Sequence, residues 1–81
     1  MQTKIILVDD HTLVRNAIAD LIEGNQEYVV IQQLGNGKEL FEKLSNPINI
    51  PDIILLDVNM PVMNGFETME KLQAEFPDIH V

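Results

Sequence analysis

The sequence predicts an α/β fold: a parallel sheet, wound on both faces, built from short strands that alternate with helices. Three observations carry this. Apolar runs rich in β-branched residues recur at 4 to 8, 28 to 34 and 53 to 56, each followed by a segment of helical periodicity. The first and third runs are almost continuously apolar, as strands buried on both faces must be. Both also end abruptly in carboxylates, Asp9-Asp10 and Asp57. Parallel strands joined by helices require crossover connections, which are right-handed and place helices on the sheet faces.

Each element has a local reason. KIILV at 4 to 8 is a strand that stops at two charges. After it Val14, Ala17, Ile18, Leu21 and Ile22 recur at helical spacing, with Arg15, Asn16, Asp20 and Glu23 on the other face; Asp10 or Thr12 can cap the start and Gly24 the end. YVVIQQL at 28 to 34 is the second strand, Gly35-Asn36-Gly37 a turn, and 38 to 44 a short helix with Leu40, Phe41 and Leu44 inward. A polar, proline-punctuated connection from Asn46 to Pro51 leads to the third strand, placed at Ile53 to Asp57. Gly65 to Phe76 reads as a third helix, with Phe66, Met69, Leu72 and Phe76 on one face and Pro77 as its stop. Asp78 to Val81 reads as the opening of a fourth strand.

Composition narrows the function. The 81 residues allow one small domain. Five Lys plus Arg against 13 Asp plus Glu give a net charge of −8, which disfavours direct binding to nucleic acid or to an anionic membrane. No apolar run approaches the roughly 18 residues of a membrane span, and there is no cysteine, so a cytoplasmic protein is expected.

The chemistry concentrates in the carboxylates. In an open parallel sheet ligands bind beyond the carboxyl ends of the strands, where the strand order reverses. If the first and third strands are neighbours, Asp9, Asp10 and Asp57 converge there. Three clustered carboxylates repel one another, and a hard divalent cation such as Mg²⁺ relieves the repulsion with oxygen ligands. A cation beside a carboxylate also suits phosphoryl transfer, the Asp oxygen attacking in line to give an acyl phosphate. Taken singly, Asp9-Asp10 can equally be a helix cap in a solvated turn.

VDDH at 8 to 11 together with LLDVNMPVMNG at 55 to 65, at a spacing of 47 positions from Asp10 to Asp57, resembles the receiver domain of bacterial two-component response regulators over the whole chain. The resemblance implies a CheY-like, flavodoxin-like sheet of order 2-1-3-4-5, an order that general accounts of doubly wound folds give for this family. It further implies that Asp57 accepts phosphate from a histidine kinase. Asp10 would bind Mg²⁺ directly, Asp9 directly or through water, and the backbone carbonyl of Asn59 would add a ligand. Met60-Pro61 and Gly65 would shape the loop between. VDDHTLVR at 8 to 15 is most like regulators of the LuxR/NarL/FixJ type, whose second domain is a helix-turn-helix DNA-binding module.

The family pattern also includes a Ser or Thr ending strand four and a Lys ending strand five. Neither has a counterpart here, and Lys38, Thr68 and Lys71 lie on helices. Residues 1 to 81 are therefore expected to be the N-terminal part of a receiver, three βα units and the start of a fourth strand, cut from a longer transcriptional regulator. Phosphorylation is expected to be impaired, and the uncovered strand edge and apolar surface to drive a homodimer or a strand-exchanged assembly. Two rival functions are a Mg²⁺-dependent phosphohydrolase that uses an aspartyl phosphate and a phosphorylation-silent interaction module. The first usually needs a second Asp two residues after the nucleophile, where this chain has Asn59.

Other residues receive structural readings. His11 is expected to be a helix-start residue rather than a ligand, and His80 a strand residue. Gly35-Asn36-Gly37 lacks the spacing of a phosphate loop. Met60, Met63 and Met69 are expected to fill loop and core.

Overall fold

A computed structural model of the chain describes residues 2–57 and 65–81. The order of elements is β1 (Thr3–Val8), α1 (Thr12–Glu23), β2 (Tyr28–Leu34), α2 (Gly37–Leu44), a 3₁₀ turn (Pro47–Asn49), β3 (Ile53–Leu56) and α3 (Gly65–Glu75). The three strands form one parallel sheet of order β2-β1-β3. The order reverses between β1 and β3, so the site expected at the strand ends lies at a switch point. The fourth-strand start is present as a single parallel bridge between Ile53 and His80. Ile54 N–H donates to the His80 carbonyl at 2.8 Å, and His80 N–H to that of Asp52 at 3.1 Å.

β1 is central, and its last four residues, Ile5 to Val8, are all buried. Their alternation divides the core in two. Ile6 and Val8 join Leu34, Leu40, Leu44, Ile54 and Leu72 on the face covered by α2 and α3. Ile5 and Leu7 join Ala19, with Ile18, Ile22, Tyr28, Val30 and Ile53 around them, on the face covered by α1. The register is pinned at the start of β3, where Asp52 acts twice on Lys4. Its N–H donates to the Lys4 carbonyl and its carboxylate accepts from Lys4 N–H, both at 2.8 Å. The turn expected at 35 to 37 opens α2: Asn36 is the N-cap, its side chain accepting from Glu39 N–H at 2.9 Å, while Glu39 accepts from Gly35 N–H at 2.7 Å. This reciprocal arrangement is a variant of the capping box.

The structure corrects which faces of two helices point inward. On α1 the buried side is formed by Ala19 with half-buried Arg15, Ile18 and Ile22, while Leu13 is 85% exposed, Leu21 79% and Val14 50%. The helix carries apolar residues on more than one side, so periodicity identified a helix without deciding which stripe meets the sheet. Its cap is also different: the N-cap position is His11, which makes no side-chain cap bond. On α3 the buried residues are Gly65, Thr68 and Leu72, whereas Phe66 is 67% exposed. β3 ends at Leu56, one residue short of the predicted Asp57, and Leu55 remains 42% exposed on the α1 side. α3 ends at Glu75, one residue before the predicted Phe76.

These faces are testable by unfolding in urea. Ile18→Ala removes contacts with the β1 cluster and is expected to cost about 2 kcal/mol, at the low end for apolar truncations because the residue is half-buried. Leu21→Ala, on the exposed side, should change stability by no more than about 0.5 kcal/mol.

Candidate functional site

Two backbone hydrogen bonds carry the ladder beyond the last apolar layer. β1 pairs with β3 in the register Val8 to Leu56, and Asp57 N–H then donates to the Val8 carbonyl at 2.9 Å. On the other side Asp9 N–H donates to the Leu34 carbonyl at 3.0 Å. Asp9 and Asp57 thereby leave adjacent strands at the same level, and Asp10 follows in the turn to α1. The three predicted carboxylates come together with His11, one ligand atom from each lying within 4.8 Å of the others. Their side chains remain reachable from solvent, with exposures of 18% for Asp9, 31% for Asp10 and 21% for Asp57.

The β1–α1 turn is held in two ways. The Asp9 carboxylate accepts from His11 N–H at 2.8 Å, folding the turn back on itself, and Arg15 Nη1 donates to the Asp9 carbonyl at 2.9 Å. Sequence periodicity placed Arg15 on the outer face of α1. Its spacing of three and four from Ile18 and Ala19 belongs instead to the inward side, where its half-buried stem lines a groove with Leu7, Ile18 and Leu55 beside Asp9 and Asp57.

His11 stands at the start of α1, as expected, and its ring also meets the carboxylates. Its Nδ1 lies 3.1 Å from Asp9 Oδ1, 3.1 Å from Asp10 Oδ1 and 3.7 Å from Asp57 Oδ2. The hydrogen bond to Asp9 comes first, followed by the charges of Asp10, Asp9 and Asp57, and together they raise the imidazole pKa above its ordinary 6.5. Burial by itself pushes Asp9 up, but the His11 backbone N–H, the His11 ring and its charge outweigh it, and the Asp9 pKa falls below its ordinary 3.8. The signal that could have found His11 was its direct succession to the acid pair at the strand end, where the first turn of α1 leaves its ring over the same space.

The other residues weighed for the site lie elsewhere. Lys71 Nζ sits 4.4 Å over the Phe41 ring, and Thr68 is buried on α3. Asn59 and Met60-Pro61 fall outside the described residues, as does Met63, so the expectations placed on them have no structural counterpart here.

The profile of the response regulator receiver domain matches residues 5–81. The chain belongs to that family. Among curated relatives, this receiver is 42% identical over 71 residues to the nitrate/nitrite response regulator NarL of Escherichia coli K12, covering 88% of this chain and 32% of that protein. It is also 42% identical over 78 residues to a protein-glutamate methylesterase/protein-glutamine glutaminase of Clostridium acetobutylicum, covering 96% of this chain and 22% of that protein. Its fold superposes on a LuxR-family two-component response regulator from Aurantimonas sp. SI85-9A1 with a TM-score of 0.85 at 26% identity, covering 98% of this chain and 55% of that one. The receiver therefore spans about a third or less of these two curated relatives. One is named as a regulator and the other as an esterase, so receiver similarity alone is shared by proteins with different outputs.

The pairing of His11 with Asp9 sets a pH dependence in the absence of divalent metal. A histidine pKa raised on folding contributes stability that is complete below 6.5 and fades as pH rises through the folded value. An aspartate pKa lowered on folding contributes stability that is complete above 3.8 and fades as pH falls through the folded value. Urea titrations in chelator should therefore show the wild-type chain exceeding His11→Ala by most between pH 3.8 and 6.5, the gap closing on both sides.

Proposed function

We propose that this receiver accepts a phosphoryl group on Asp57 from a histidine kinase, with a divalent cation, Mg²⁺ as the first candidate, held by Asp10, by Asp9 directly or through water, by Asp57 and by the backbone carbonyl of Asn59. The observation that carries the reading is the Asp57 N–H bond to the Val8 carbonyl, which sets the acceptor beside the Asp9-Asp10 turn. The donor set suits such an ion, since three carboxylates in reach of one point repel one another without a cation and offer hard oxygen ligands to it. When bound, the cation would offset charge on the phosphoryl oxygens.

The remaining chemistry belongs to the chain. An Asp57 carboxylate oxygen attacks phosphorus, the phosphorus–nitrogen bond of the phosphohistidine breaks, and its electron pair returns to the donor imidazole. Asp57 is one-fifth exposed and stands at a strand end, so an incoming donor has an open approach. Asp9, held by His11 N–H and through its carbonyl by Arg15, keeps the turn in place while the acceptor reacts. Residues 1 to 81 act as the N-terminal part of a receiver in a longer cytoplasmic regulator of transcription. Any contact with DNA is made by another domain, in keeping with the net charge of −8 here. The described residues contain no helix long and apolar enough to cross a membrane. The exposed Leu13, Leu21 and Leu55 supply apolar surface for a homodimer or strand-exchanged pair, and light scattering at tens of micromolar, read as a monomer, would remove that part of the reading.

Acetyl phosphate with Mg²⁺, followed by intact mass, tests the acceptor. The chain is expected to gain one phosphoryl group, slowly, and Asp57→Ala to gain none. A folded wild-type chain that stays unlabelled, or equal labelling of the variant, contradicts the assignment.

A further inference from the structure

Arg15 reaches the site through the backbone, from a helix that contributes no carboxylate to it. Its Nη1 donates to the Asp9 carbonyl at 2.9 Å, across six residues of chain. That carbonyl and the Asp10 N–H belong to one planar peptide unit. Fixing the carbonyl therefore fixes the direction in which the chain leaves β1 for Asp10, whose carboxylate joins those of Asp9 and Asp57. The same guanidinium passes the turn after β2, since a Cβ at Gly35 would stand 3.8 Å from Nη1. The ends of β1 and β2 and the inward side of α1 thus meet at Arg15.

Packing does not account for this placement. Arg15 Nε is buried and has no hydrogen-bond partner among the described residues, and a buried N–H left unpaired is unfavourable. The half-buried stem lies with Leu7, Ile18 and Leu55, where an apolar side chain would avoid that cost. Nor is charge the connection to the acids: burial, His11 and Asp57 set the Asp9 pKa, and Arg15 has no part in it. What the guanidinium supplies is a donor at the Asp9 carbonyl.

We propose that Arg15 is a positioning residue of the phospho-acceptor site, its bond to the Asp9 carbonyl setting the Asp9–Asp10 peptide plane and so aiming the Asp10 carboxylate at those of Asp9 and Asp57. This rests on the reading of the three carboxylates as a cation site. Arg15 holds the site at the expense of the fold, so the two properties separate on substitution.

Arg15→Met keeps an unbranched stem and removes the donor, whereas Arg15→Lys keeps the charge but ends one bond short of Nη1. Each is compared with the wild-type chain by Mn²⁺ titration followed by EPR, well below the urea transition, and by the ¹³C resonance of the Asp9 carbonyl without metal. Arg15→Met should bind Mn²⁺ about tenfold more weakly, the loss typical when an outer-sphere partner of a metal ligand is removed. Its Asp9 carbonyl resonance should move, while its urea midpoint stays equal or rises because the unpaired N–H goes with the guanidinium. Arg15→Lys should lose Mn²⁺ affinity in the same way. Wild-type Mn²⁺ affinity in folded Arg15→Met, or an unmoved Asp9 resonance, overturns the role of Arg15 and leaves the carboxylate site standing. A lysine variant with wild-type affinity and a displaced Asp9 resonance overturns it too, because charge alone would then suffice. A folded wild-type chain that binds no Mn²⁺ overturns the carboxylate site as well, and Arg15 with it.

Discussion

Two backbone hydrogen bonds, Asp57 N–H to the Val8 carbonyl and Asp9 N–H to the Leu34 carbonyl, continue the sheet one residue past its apolar core. They carry unlike cargo into the same place. A ladder that stabilises strands through burial of Ile6, Val8 and Ile54 ends by bringing carboxylates together, an arrangement unfavourable in itself. The register of β1 against β3 is therefore the constraint on which the site depends. A slip of one residue would turn Ile54 and Leu56 away from α2 and α3 and would draw Asp57 off the level of Asp9. Burial on two faces resists the slip, and Asp52 gripping Lys4 at the far end of the strands fixes it from the other side.

The site tolerates its own charge because several weak arrangements converge on it. Hydrogen bonds from His11 hold Asp9, Arg15 takes the Asp9 carbonyl, and the imidazole meets all three acids. An exposed ion pair of this kind contributes little to stability. Its consequence is positional: the turn is already shaped for the cation and phosphoryl donor proposed above, which would lower the ordering cost of binding. The fold thus supplies rigidity from the central strand and leaves chemistry to residues just outside it.

Much of this was legible in the sequence for identifiable reasons. Strands announced themselves because apolar runs stopped at charges, and the convergence of Asp9, Asp10 and Asp57 followed once the first and third strands were taken as neighbours. The inward faces of α1 and α3 were less legible. Leu13, Val14 and Leu21 are as apolar as Ile18 and Ile22, and periodicity cannot say which of two apolar stripes meets the sheet. Phe66 misled for a related reason: helical spacing groups it with Met69, while the packing of α3 uses Gly65, Thr68 and Leu72. The place of His11 depends on a side-chain direction in a three-residue turn, and Arg15 on the rotation of a helix, neither of which spacing records.

If strand register sets Asp57 against the Asp9-Asp10 turn to make one cation site, the ion must bridge the two strand ends. Anomalous diffraction from a crystal of the chain grown with Mn²⁺ tests it most directly. A peak is expected within bonding distance of carboxylate oxygens from both the Asp9-Asp10 turn and Asp57. Strand ends in this register with the ion bound elsewhere, or with no ion at all, would contradict it.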